Sequence, residues 1–228
     1  MYEAEEVKKN KVPAKGQVPN SQLLRICGKK EAALKLVFVG NSITSHAPAP
    51  GMKWYGYWGM AASREEKDYV HQTVQILEED YPDVGFAIAQ LARWELTFDE
   101  VGEQWKEAYR GLNDFRPDIA VIRMGENIPT EKLDVADTRN SIEDMIAFFG
   151  AGCRQIIVTD CFWRRSPLDE LLQKICREKG YTFCKISDIY EEPKSMALNE
   201  YENESVALHP SDYGMRKIAE RIAQSVII

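Results

Sequence analysis

The stretch that most constrains this chain is Leu34 to Thr44, LKLVFVGNSIT. Leu34 to Val39 is an apolar, β-branched run of strand length, and such runs read as parallel strands covered on both faces. Gly40 and Asn41 break the run, and Ser42 follows at the turn. A strand ending this way lifts a hydroxyl to the carboxyl edge of a sheet, where open α/β sheets bind their ligands. Taken by itself the stretch reads equally as a polar strand-to-loop turn, since Gly and Asn are common turn residues.

The rest of the chain supplies the sheet. Further strands are predicted over Val84–Ala89, Ile119–Ile122, Gln155–Thr159 and Tyr181–Lys185. Helices are predicted over Met60–Glu79, Phe98–Arg110, Thr138–Phe149 and Pro167–Lys179, with a last one from Ser211 to the C-terminus. Strand and helix alternate throughout, which means a parallel sheet with helices on both faces, joined by right-handed crossovers. The 228 residues suit one domain of this kind, and no repeat or second-domain boundary is visible. Residues 1–30 are polar, lysine-rich and interrupted by Val12-Pro13 and Val18-Pro19. They are expected to form an extended arm ahead of a domain over residues 31–228. Within the arm, Leu23 to Cys27 is apolar enough to pack on the outside of that domain.

A net charge of −7 argues against nucleic acid or an anionic membrane as partner. No apolar run is long enough to span a bilayer. The first residues, MYEAEEVKKNKV, hold no apolar signal core, so a cytoplasmic location is expected. The five cysteines are odd in number, and several lie in or beside apolar segments, which suits buried free thiols in a reducing compartment. None has metal-site spacing, so neither a disulfide framework nor a structural metal is expected.

Two further motifs complete the pattern. The run Ile119 to Ile122 leads into Met124-Gly125-Glu126-Asn127, and the last helix is preceded by Leu208-His209-Pro210 and opened by Ser211-Asp212-Tyr213-Gly214-Met215. GNS, then G-x-N, then H-P-x-D-x-G-M, in that order from Leu34 to the C-terminus, resembles the SGNH (GDSL-type) hydrolases. The resemblance implies a flavodoxin-like three-layer sandwich with a five-stranded parallel sheet. It also implies that the strand ends gather Ser42, Asn127 and His209 in one cleft, and that no cofactor or metal is needed.

A serine hydroxyl is a poor nucleophile until a base takes its proton. Of the three histidines, His71 lies within a predicted helix and suits a packing or surface role, and His46 suits a loop or substrate contact. His209 matches the family's base. Attack on an ester puts charge on the carbonyl oxygen, and fixed donors around it usually supply the largest catalytic effect. Asn127 matches the family's oxyanion asparagine, and the Ser42 N–H is a second donor. A third is usually a glycine N–H after the second strand. Here the region reads Leu91-Ala92-Arg93-Trp94, leaving the N–H of Ala92 or Arg93 as the candidate.

The family's triad carboxylate stands three residues before the histidine, where this chain has Val206. A Ser42–His209 dyad is therefore expected, with the Val206 carbonyl taking the Nδ1–H and the His209 pKa at about 6.5 or below. Glu204 is the rival partner. Glu202, Glu95, Glu126 and Asp160 also stand near the motifs or after strands, and each reads as solvated or structural.

Trp54 and Trp58 follow the serine, with Tyr55 and Tyr57 between them, and Trp94 and Trp163 follow the second and fourth predicted strands. All start from the cleft edge. Trp54, Trp58, Trp94 and Trp163 are the substrate-binding candidates, with core packing an open alternative for each. The reading is a serine ester hydrolase that removes acyl groups such as acetyl from a carbohydrate. A carbohydrate-binding module on a decayed hydrolase scaffold and a lipase or thioesterase are the alternatives.

Overall fold

The computed structural model describes residues 23–28, 31–133 and 136–228. Six strands form one sheet: β1 (Leu24–Cys27), β2 (Leu34–Gly40), β3 (Val84–Gln90), β4 (Ile119–Arg123), β5 (Gln155–Thr159) and β6 (Thr182–Cys184). Their order is β1-β3-β2-β4-β5-β6. The five strands from β3 to β6 are parallel, as expected for a flavodoxin-like sheet. The sixth, β1, runs antiparallel along β3, with Leu24 opposite Ala89 and Cys27 opposite Phe86. Most of the expected N-terminal arm lies outside the described residues. Its described end is this edge strand, so the sheet reaches back across the boundary expected near residue 30.

The α-helices are α1 (Tyr69–Leu77), α2 (Ala92–Thr97), α3 (Leu112–Phe115), α4 (Ala136–Phe149), α5 (Ser166–Lys179), α6 (Glu204–Ala207) and α7 (Asp212–Gln224). Alternate side chains of each strand face opposite layers. Val37, Val39, Ala120 and Ile122 meet Ile142, Met145 and Ile146 of α4 and Leu168, Leu172 and Ile175 of α5. Leu36, Phe38, Ile119 and Val121 meet Tyr69, Val70 and Val74 of α1 and Met215, Ile218 and Ile222 of α7. Both faces are covered, which is why β2 and β4 read as unbroken apolar runs.

Two predicted helices differ from what forms. The one expected over Met60–Glu79 begins only at Tyr69. Ala61 takes a left-handed φ of 72°, which no helix tolerates, and Asp68 caps the later start by accepting from the His71 N–H at 2.8 Å. The one expected over Phe98–Arg110 does not form as one α-helix: α2 ends before it at Thr97, and a 3-10 turn opens at Gly102, with φ 51°, and runs to Tyr109.

Candidate active site

The strand β2 ends where Gly40 packs directly against the Thr44 side chain and the Arg123 carbonyl, so a side chain at position 40 has no room. The chain then closes a tight turn in which the Asn41 carbonyl accepts from the N–H groups of Thr44 and Ser45. Ser42 sits on this turn at the carboxyl edge. Its Oγ lies 2.8 Å from His209 Nε2. His209 arrives from the other end of the chain, between α6 and α7. Ser211 caps α7 by accepting from the Gly214 N–H, and Asp212 takes the N–H and hydroxyl of Ser63 at 2.8 and 2.7 Å. The α7 N-terminus is thereby tied to the loop after Ser42.

His209 Nδ1 faces the carbonyl of Ser205 at 2.7 Å, which assigns the proton to Nδ1 and leaves Nε2 as the acceptor toward Ser42. The expected partner was the Val206 carbonyl; the structure uses the one before it. The reason is local. α6 is a single helical turn capped by Asn203, and a side chain at its end reaches the carbonyl four residues back. The Val206 carbonyl instead accepts the His209 backbone N–H at 3.0 Å. Glu204 and Glu202 are exposed, and Glu202 pairs with Lys53. Burial pushes His209 down to about 4, against the Ser205 carbonyl, which favours the charged ring.

Asn127 follows β4 and reaches the same polar cluster as Asn41, the neighbour of Ser42. Gly125, at φ 125°, supplies the turn that a residue with a Cβ rarely makes, and presses on Leu168. Asn127 Nδ2 donates to Glu95 Oε2 at 2.5 Å, which leaves its second N–H for another acceptor. Arg165 grips the same turn from outside, donating to the carbonyls of Gly125 at 2.8 Å and Ile128 at 2.5 Å. The Ala92 N–H, expected as a further oxyanion donor, donates to Gln90 Oε1 at 2.9 Å. Without a glycine there, the chain turns straight into α2 and the N–H is taken by the preceding strand's side chain.

Beneath Ser42 and Asn127 lies a polar cluster that sequence reasoning did not assemble. Arg123 is fully buried at the end of β4 and donates to Glu126 Oε1 at 2.5 Å and to Asn41 Oδ1. Asn41 Nδ2 donates to Glu126 Oε2 at 2.6 Å and to Glu95 at 3.1 and 3.2 Å. The Gly125 N–H donates to Glu95 Oε1. Burial and the facing Glu126 push Glu95 up to about 7. Burial opposes ionisation of Glu126 as well, but the Arg123 guanidinium holds it below the usual range. The available signal was Arg123, a charge closing an otherwise apolar strand, flanked in the fold by two acids that each follow a strand. Asp160, the third such acid, is structural: it accepts from the N–H groups of Ile186 and Ser187 at 2.5 and 3.0 Å.

The tryptophans divide. Trp54 is buried in a small apolar cluster with Met60, Ala197 and Val206, edge-on to Trp58 at 5.7 Å, and does not line a cleft. Trp94 is buried against Phe98 and Trp105 on the α4 face of the sheet. Both are buried: the loop that carries Trp54 folds inward over apolar surface, and α2 lays Trp94 against the apolar layer of the sheet. Trp58 is half-buried, its Nε1 donating to the Ala62 carbonyl at 2.8 Å. Trp163 stands beside His209, its ring perpendicular to the imidazole with centroids 5.2 Å apart. His46 is half-buried, its Nδ1 2.5 Å from the Ala47 carbonyl. His71 packs edge-on against Phe86 and bonds Asp68, a structural role.

No protein-family model and no curated protein matches the sequence. Solved structures do match in fold. A psychrotrophic esterase from Pseudoalteromonas sp. aligns with a TM-score of 0.56 at 13% identity, covering 84% of this chain and 95% of that one. A family 3 carbohydrate esterase from Clostridium thermocellum aligns at 0.56 and 16% identity, covering 84% and 94%. A two-domain esterase active on acetylated mannans aligns at 0.52 and 16% identity, covering 97% of this chain and 53% of that one. The fold is that of the SGNH (GDSL-type) lipases and esterases.

Proposed function

We propose that this protein is a serine ester hydrolase that removes small acyl groups, acetyl first among them, from a carbohydrate. The observation that carries the reading is the 2.8 Å contact between Ser42 Oγ and His209 Nε2 at the carboxyl edge of the sheet. His209 takes the hydroxyl proton as Ser42 attacks the ester carbon. The Ser42 N–H and Asn127 Nδ2 hold the oxygen that becomes negative. The tetrahedral intermediate collapses, His209 returns the proton to the leaving alcohol, and an acyl-enzyme remains. Water, deprotonated by the same imidazole, releases the acid and restores Ser42. The Ser205 carbonyl orients the ring throughout but carries no net charge, so turnover is modest. An imidazole held down to about 4 is neutral, and so competent as a base, at every pH well above that value.

Support for a carbohydrate ester comes from the named activities of the carbohydrate esterase and the mannan esterase among the structural relatives. Trp163 beside His209 offers the kind of aromatic face on which a sugar ring stacks. The test is labelling by a fluorophosphonate together with hydrolysis of p-nitrophenyl acetate and of an acetylated mannan. Labelling at Ser42, turnover of both esters, and loss of all three in Ser42→Ala are expected. Labelling that persists in the variant would refute the assignment, and a preference for octanoyl over acetyl esters would move the substrate to lipids or acyl thioesters.

A further inference from the structure

One N–H of the Asn127 amide is proposed for the oxyanion, and Glu95 holds the amide by the other. Resting on that ester-hydrolase reading, we propose that Glu95 is the positioning residue of the oxyanion site. Its carboxylate turns the Asn127 amide so that an N–H is presented to the cleft, and protonation of that carboxylate releases the amide and switches the enzyme down.

Among the described residues, every side-chain hydrogen bond of Glu95 is one that it accepts. Asn127 Nδ2 reaches Oε2 at 2.5 Å, the Gly125 N–H reaches Oε1, and Asn41 Nδ2 reaches both oxygens at 3.1 and 3.2 Å. An ionised carboxylate accepts only, and so suits this shell. A protonated one places an O–H among converging N–H groups, and one of them must turn away. Asn41 is also held by Glu126 and Arg123, and Gly125 donates from the backbone. The group left to turn is the half-buried Asn127 amide, the oxyanion donor itself.

The charged groups facing Glu95 are Glu126 and Arg123, both from the end of β4. Arg123 is engaged by Glu126 at 2.5 Å, so the single guanidinium serves the other carboxylate first. Glu95 is therefore the member of the pair that takes up a proton as pH falls, in keeping with its rise to about 7. His209, at about 4, titrates well below it.

Two readouts test the proposal, one of them without substrate. In the wild type, the Glu95 side-chain ¹³Cδ and the Asn127 ¹⁵Nδ2 resonances are expected to titrate together near neutral pH, and in Glu95→Gln the Asn127 signal is expected to stay still. On an acetyl ester, wild-type kcat is expected to fall as pH drops through the same midpoint. Glu95→Gln should lose about tenfold or more in kcat with little change in KM, since one oxyanion donor is worth about 10²–10³, and its neutral acid limb should vanish. An Asn127 signal that does not move in wild type, or a neutral limb that survives in Glu95→Gln, would overturn the assignment. Should the variant fail to fold, the shared wild-type midpoint decides. Absent turnover with an intact Asn127 titration would count against the esterase reading and not against Glu95.

Discussion

The base end and the oxyanion end of the proposed site are built in opposite ways. At the base end, His209 leans on a backbone carbonyl, and the position that could have carried an acid is Val206, buried with Trp54 and Met60. At the oxyanion end, two buried carboxylates and one guanidinium lie under the donors. Negative charge beside an imidazole stabilises its protonated form and makes it a stronger base. Charge beneath an amide does something else: it fixes which atom the amide presents. In the proposed site the carboxylates accept from the Asn41 and Asn127 amides, while burial keeps the His209 imidazole neutral.

The first way to break the comparison is to remove the part both ends share. Ser42→Ala and His209→Ala should each cost on the order of 10⁴ or more in kcat, and the double variant no more than the larger single loss, because the pair acts as a unit. Hydrolysis of p-nitrophenyl acetate measures all three. Additive losses would mean that the pair is not one machine.

Arg123→Met attacks the oxyanion end from below. It strands Glu126 without its cation, and breaking a buried pair from one side costs about 3–5 kcal/mol. Urea unfolding should show the loss; a shift under about 1 kcal/mol would place the cluster in far better contact with water than its burial indicates. Asn127→Ala leaves the fold intact and should lower kcat by about 10²-fold, read from the same ester assay with circular dichroism as control. At the base end, Glu204→Gln should cost under about tenfold, because the exposed Glu204 does not touch His209. In a full triad the amide substitution costs about 10⁴. A loss of that size would turn the base end into a triad and erase the contrast.

How much of this was legible beforehand followed from how local each signal is. The parallel sheet could be read because each central strand is an apolar run ended by Gly or a polar turn. Ser42 and Asn127 stood out as candidates because each follows a central strand within a short motif, and His209 because its motif opens the last helix. The burial of Trp54 and Trp94 could not, since an aromatic beyond a strand end declares nothing about whether the segment that carries it folds over the core or away from it. The Ser205 carbonyl was missed by one residue because the turn before His209 is helical, and only a helix brings the carbonyl four back under the ring. The cluster of Asn41, Glu95, Arg123 and Glu126 draws on three separate strand ends, and no spacing along the chain joins the Arg123–Glu126 pair to Asn41 or Glu95.

The antiparallel strand β1 has a consequence for handling this protein. It satisfies the outer N–H and C=O groups of β3, whose side chains from Val84 to Ala89 are all buried. β1 is only four residues long and carries Arg25, paired with Glu65 at 3.2 Å; a short, charged rim strand discourages further pairing. A chain begun at residue 31 would lose that guard and bare a seven-residue apolar strand to its neighbours. Such a chain should self-associate with rising concentration, visible by light scattering, with every reacting group still in place.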